Sequence, residues 1–310
     1  MPVTVVLTVL HHQGPRQRAN ALYGLARQAN APIRVGIFIV LASITLLWGC
    51  SSPGAQHRLA AESRGFDTVE IAVEQFVLST YSPPQQAETD RPLHVYLTGD
   101  GTPWIGGRRI ARDPTPRGRL TLELMAQDHA PRILLNRPCY ARNPMDQACR
   151  SRLWADGRYS ETVVSAMDQA LDSLAESHGD HGLVLIGYSG GGTLARLLAG
   201  RRDDVRAVVT LAANLDHTAW AEHHGYRPLR GSLSAKDQPP LPADILQWHY
   251  AGGRDTVVPV DVVAAGIEGD QAAELRVEPD FDHVCCWVER WPAILRQLDR
   301  ALGVTNPVAH

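Results

Sequence analysis

Ser189, Asp255 and His283 have the residue types needed to open an acyl bond, and their order and surroundings suit that chemistry. A serine hydroxyl is a poor nucleophile at neutral pH. It needs a base within hydrogen-bond reach, and the base needs a third group to fix its tautomer. Ser189 lies in Gly187-Tyr188-Ser189-Gly190-Gly191, between an apolar run of strand type (Leu183 to Ile186) and a stretch that reads as helix (Thr193 to Leu198). Gly-x-Ser-x-Gly between a strand and a helix is a nucleophile elbow. The serine there holds a strained backbone angle, and its neighbours must let strand and helix pass closely. Gly187, Gly190 and Gly191 meet that need. The pattern also recurs by chance, so its weight depends on its companions. Asp255 follows 66 residues later in Gly253-Arg254-Asp255, and His283 comes 28 residues after that. Their alternative roles are a turn acid capping the next helix and a polar residue beside a helix start. Asp280 and Asp282 are rival acids, but they lie too near His283 to take a separate strand-end position easily.

Buried strands alternating with helices must position these residues. Short apolar runs predict strands at 92–97, 132–135, 183–188, 205–212, 245–250 and 273–277. Residues 68–80 alternate apolar and polar as one edge strand. Helical spacing marks 119–127, 160–177 and 287–302; in the second, Val163, Val164, Met167, Leu171 and Leu174 share a face behind Ser160, a candidate cap. The alternation predicts a mostly parallel, doubly wound sheet with helices on both faces. In such sheets the strands' carboxyl ends carry the reactive loops, and 98–101, 187–191, 251–255 and 279–283 are the loops in question. Residues 213–244, rich in Pro, His and Trp, form a short lid-like insertion.

The three motifs together, Gly187 to Gly191, Gly253-Arg254-Asp255-Thr256-Val257-Val258-Pro259 and Asp282-His283, resemble the α/β-hydrolase superfamily over residues 68–302. Ser, Asp, His is the order of that fold. The resemblance implies that Ser189 attacks a carbonyl, that His283 takes and returns the proton, and that Asp255 orients His283. It also implies an oxyanion hole from the N–H of Gly190 and, in the loop after Thr98-Gly99, of Asp100. Thr98 stands where the family's pattern carries His, and Asp100 could instead bond within the turn. Asn214, Trp220 and Trp104 are candidate pocket residues. His217, His223 and His224 lack regular ligand spacing and read as surface or packing residues rather than a metal site. No cofactor is implied.

With 310 residues, 44% hydrophobic and 20% charged, the chain is globular in composition and can bury one large core. A net charge of -3 without a basic, aromatic-interleaved patch argues against a nucleic-acid partner. Arg27 and Arg34 precede an uncharged run from Val35 to Trp48, shorter than the roughly 20 residues that span a bilayer but suited to a signal-peptide core. Leu47-Trp48-Gly49-Cys50 resembles a bacterial lipobox, which implies cleavage before Cys50, lipidation of its thiol and anchoring at the periplasmic face of the envelope, in the outer membrane. The lipobox and His283-Val284-Cys285-Cys286-Trp287 further resemble bacterial lipoprotein hydrolases. Residues 1–49 are then a lead and signal peptide, 50–66 a tether, 67–303 the catalytic domain and 304–310 a tail. Apart from Cys50 four cysteines remain, as an oxidising compartment favours; Cys139 and Cys149 enclose a short loop suited to a disulfide, and the state of Cys285 and Cys286 stays open. The leading expectation is a serine esterase acting on a small or medium carboxylic ester. A peptidase or amidase of the same fold, suggested by Gly190-Gly191-Gly192, and a lipid-anchored binding protein on a lapsed scaffold are the alternatives. Substrate identity and oligomeric state are not encoded in any motif.

Overall fold

The computed structural model describes residues 51–86, 90–142 and 146–304. Cys50, the leader and the tail beyond 304 lie outside the described residues. The chain divides after Ser51 into two units, the second beginning at Ser52. Its centre is an eight-stranded sheet built from β1 (Asp67–Val73), β2 (Phe76–Ser82), β3 (Leu93–Leu97), β6 (Arg132–Leu135), β7 (Leu183–Tyr188), β8 (Val205–Leu211), β9 (Leu246–Gly252) and β10 (Ala273–Glu278). The spatial order is β1-β2-β6-β3-β7-β8-β9-β10. The pairs β1·β2 and β2·β6 are antiparallel, and every later pair is parallel. A separate small hairpin pairs β4 (Trp104–Ile105) with β5 (Arg109–Ile110).

Seven helices surround the sheet among the described residues: α1 (Pro53–Glu62), α2 (Leu120–Ala126), α3 (Glu161–His178), α4 (Gly190–Ala199), α5 (His217–His223), α6 (Val260–Ala265) and α7 (Trp287–Ala301). The central strand β7 shows why two layers form. Leu183 and Leu185 meet Val163, Met167 and Leu171 of α3 and Leu194 and Leu198 of α4 on one face. Val184 and Ile186 meet Ala60 of α1, Leu122 of α2 and Trp291 and Ile294 of α7 on the other. With apolar side chains on both faces the strand reads as one continuous run, and each such side chain contributes roughly 1.5–3 kcal/mol on burial.

Three expectations are corrected. Residues 68–80 form a hairpin rather than one edge strand, because the chain reverses at Glu74, which takes φ 36° without a glycine or proline to mark the turn. The segment read as a tether forms α1: Ser52 accepts from the Ala55 N–H, Pro53 starts the helix, and His57, Ala60 and Ala61 are buried. Ser160 occupies the N-cap position of α3 with an extended backbone, yet its side chain makes no capping bond.

Cys139 and Cys149 form a disulfide that closes the irregular segment after β6. Cys285 and Cys286 are paired with each other. No described helix is long and apolar enough to cross a membrane.

A tight crossing lies where α4 starts over the end of β3. A Cβ on Gly191 would overlap the carbonyl oxygen of Leu97 and stand 2.6 Å from that of Thr98. Backbone carbonyls cannot rotate away as a side chain can. Overpacking typically costs about 1–3 kcal/mol, so Gly191→Ala should lie at the upper end. Its melting temperature should fall by roughly 6–12 °C, at about 2–4 °C per kcal/mol; an unchanged melting curve would show that the crossing is not tight.

Candidate functional site

Ser189 follows directly on β7 and precedes α4. Its backbone stands at φ 53° and ψ -128°, a conformation that a side-chain-bearing residue adopts only when its surroundings impose it. The imposition is visible: the Ser189 N–H donates to the Leu211 carbonyl at 2.8 Å, and its own carbonyl accepts from the Gly192 N–H at 2.8 Å. A Cβ on Gly99 would come within 3.3 Å of the Ser189 Cβ, so the loop after β3 lies directly against the serine.

Asp255 and His283 come together at the ends of β9 and β10. His283 Nδ1 stands 2.8 Å from Asp255 Oδ2. The other oxygen, Oδ1, accepts from the N–H groups of Val257 and Val258, each at 2.8 Å. Asp255 therefore fills both roles weighed from the sequence, turn acid and histidine partner. Its side chain is fully buried, whereas that of His283 keeps 15% exposure. The His283 carbonyl accepts from the Tyr188 hydroxyl at 3.1 Å and from Trp287 Nε1 at 3.2 Å, and the rings of Tyr188 and His283 lie 5.2 Å apart. This ties the histidine loop to the residue preceding Ser189. The rival acids are engaged elsewhere. Asp280 pairs with Arg254, and Asp282 accepts from the N–H groups of Val284 and Cys285.

Asp100 shows an unforeseen environment. Its carboxylate lies 2.9 Å from Arg137 Nη1, 2.8 Å from Arg158 Nη1 and 2.7 Å from the Tyr159 hydroxyl. Its carbonyl accepts from the Tyr140 hydroxyl at 2.9 Å. A Cβ on Gly190 would collide with this carboxylate, which packs under the start of α4. Burial alone would raise the Asp100 carboxyl, but the guanidinium groups of Arg158 and Arg137 override it and hold it at about 2. The side chain thus clamps the loop whose backbone faces Ser189. Arg137, Arg158 and Tyr159 come from an irregular region, and no periodicity singled them out.

Ser189, His283, Asp100 and Gly99 all line one open cavity of about 1830 Å³. Trp104 and Trp220 line it as expected. Asn214 does not: it is buried against Tyr159 and Thr193, whose hydroxyl donates to its carbonyl at 3.0 Å. Among the insertion's histidines, His217 stacks on Tyr159, while His224 Nε2 and Trp220 Nε1 each reach the Val257 carbonyl at 2.8 Å. The insertion is thereby latched to the loop that carries Asp255. Among the described residues no group of three or more His, Cys, Asp or Glu could hold a metal ion.

The architecture has counterparts among solved structures. A protein of unknown function from Agrobacterium tumefaciens, provisionally assigned to the α/β hydrolases, superposes with a TM-score of 0.54 at 17% identity, covering 78% of this chain and 100% of that one. An esterase from Pyrococcus furiosus gives 0.55 at 14% identity, covering 82% and 95%. Est1E from Butyrivibrio proteoclasticus gives 0.53 at 14% identity, covering 76% and 98%. The chain has the α/β-hydrolase fold. At these identities the likeness establishes the fold alone. No family model matches the sequence, and no curated protein matches it.

In this α/β-hydrolase scaffold the Asp100 clamp is open to test. Removing one partner of a buried ion pair costs about 3–5 kcal/mol, so Asp100→Asn should lower stability by that order at pH 7 in urea denaturation. A carboxyl depressed to about 2 in the folded state stabilises fully above the ordinary carboxylate value and loses that contribution as pH falls through the folded value. The gap between wild type and variant should therefore narrow between about pH 4 and pH 2. A gap independent of pH would refute an ionised Asp100.

Proposed function

We propose that this chain is a serine hydrolase that cleaves a small or medium carboxylic ester through an acyl-enzyme on Ser189. The observation that carries the reading is the 2.8 Å contact between His283 and the buried Asp255, on the cavity that also holds Ser189 in its forced φ 53° conformation. With Nδ1 occupied by Asp255, Nε2 is the nitrogen left for the proton of the Ser189 hydroxyl. The Ser189 Oγ forms a bond to the carbonyl carbon as His283 takes that proton. The ester C–O bond then breaks and the proton passes from His283 to the departing alkoxide. Water repeats the sequence on the acyl-enzyme, with His283 again as base, and releases the acid. The backbone N–H groups of Gly190 and Asp100 receive the oxyanion. Each such donor supplies about 2.7–4 kcal/mol of transition-state stabilisation in this type of chemistry.

A fluorophosphonate probe should label Ser189 in the folded protein, and Ser189→Ala should abolish labelling and ester turnover. Asp255→Asn should lower kcat by a factor on the order of 10⁴ and His283→Ala by a factor on the order of 10⁶. Absence of labelling in protein with a native melting curve would remove the reading and leave a binding protein on the same scaffold. Faster turnover of peptide anilides than of nitrophenyl esters would replace the esterase with a peptidase.

The placement in the cell is proposed on the lipobox resemblance: a lipid on Cys50 anchors the chain at the periplasmic face of the outer membrane. Cys50→Ala should move the protein from the membrane fraction to the soluble fraction, as read by blotting fractionated cells. An unchanged distribution would end the lipid-anchor proposal.

A further inference from the structure

The charge around the cavity differs from that of the whole chain. The sequence carries a net charge of -3. Yet three separate segments direct arginines to the cavity lining: Arg108 from the β4–β5 hairpin, Arg117 and Arg119 from the stretch before α2, and Arg227 and Arg230 from the insertion after α5. All five are exposed, and none of their side chains makes an ion pair or hydrogen bond among the described residues. Two of the cavity's carboxylates are neutralised by other arginines, Asp100 by Arg137 and Arg158 and Glu123 by Arg64. That leaves Asp156, Asp282 and Glu289 against five guanidinium groups, a positive mouth on a negative chain.

A second observation points the same way. His57 of α1 lines this cavity at 3% exposure, and neither of its ring nitrogens has a partner among the described residues. Burial first, and the nearby Arg119 second, lower its pKa to about 4. The ring is then neutral at physiological pH and retains one N–H to donate. A buried donor without an acceptor is costly, and a bound acceptor would recover that cost. Guanidinium groups remain charged at any relevant pH and match carboxylate and phosphate oxygens in paired geometry. Individually an exposed cation contributes little. Several of one sign around a cleft focus the field and raise the local concentration of an oppositely charged substrate.

We infer that the ester cleaved at Ser189 carries an oxyanion group, a carboxylate, phosphate or sulfate, which the arginine-lined mouth and His57 receive while the ester reaches the serine. This rests on the hydrolase reading above and names the substrate class of that site.

The test compares 4-nitrophenyl hemiadipate with 4-nitrophenyl hexanoate, which match in chain length and leaving group and differ in one negative charge. At about 20 mM salt, where screening is weak, kcat/KM should favour the anionic ester by about tenfold or more. The preference should decline as salt rises to about 0.5 M, where the screening length falls to a few ångströms. The double variants Arg117→Gln/Arg119→Gln and Arg227→Gln/Arg230→Gln, each checked for a native melting temperature, should each reduce the ratio by about threefold or more. Hemiesters ending in phosphate and sulfate, run in parallel, identify the group preferred. A ratio at or below one, insensitive to salt and to both variants, overturns the proposal. Calorimetry of adipate against the Ser189→Ala protein separates the two readings. Adipate binding without Ser189 labelling in the wild type would retain the anion site and lose the hydrolase. Labelling with neither adipate binding nor an anionic preference would retain the hydrolase and lose the anion site.

Discussion

The site depends on one close passage of backbone, the start of α4 across the carboxyl end of β3. Gly191 lies against the carbonyls of Leu97 and Thr98, and Gly190 lies against the Asp100 carboxylate. Any side chain at these two positions would push the helix off the sheet. Because the passage is this close, the turn between β7 and α4 has no room to relax, and Ser189 is held at positive φ. The same closeness sets the β3 loop beside the serine. Strain at Ser189 and proximity of the loop are therefore two consequences of a single packing constraint.

The constraint is reinforced by charge. A loop beyond a strand end tends to be mobile, since its backbone cannot join the sheet. Here its anchor is Asp100, which carries one negative charge between two buried guanidinium groups while Tyr140 holds the Asp100 carbonyl. The residues that hold Asp100 lie in the stretch between β6 and α3, which the Cys139–Cys149 disulfide ties together. A stretch whose only regular piece among the described residues is a 3₁₀ turn thus braces the loop beside Ser189. On the other side, Tyr188 and Trp287 hold the His283 carbonyl, and Asp255 binds both the imidazole and its own turn. The serine lies between two loops that are each tied down by side chains from elsewhere in the fold.

This explains which parts were legible in the sequence. Strand β7 and helix α4 could be read because a centrally buried parallel strand needs an unbroken apolar run and the elbow needs its glycines. Asp255 and His283 could be placed because strand ends in a doubly wound sheet point their loops to one rim. The clamp on Asp100 could not be read, since ionic contacts from Arg137 and Arg158 have no period and no spacing. The β1–β2 turn was missed because Glu74 adopts positive φ without the usual turn residues. Helix α1 carried its signal, Ser52 before Pro53, but its polar composition and the neighbouring leader masked it. Asn214 was assigned to the pocket from its place in the insertion, whereas its amide is used up in bonds to Tyr159.

The distribution of charge follows from the same division of labour. Arg137 and Arg158 are buried and spent on Asp100, where they hold the loop. The arginines at the mouth have no such partner and so no structural work among the described residues, although each keeps a full charge in a region shared with Ser189. Exposed cations are easily exchanged for neutral residues at little cost to stability. Neither the packing nor the stability of this fold therefore accounts for five of them converging, from three segments, on one opening. Interaction with something negatively charged that enters the opening does account for it, and the buried imidazole of His57, without a partner among the described residues, lies on the same wall.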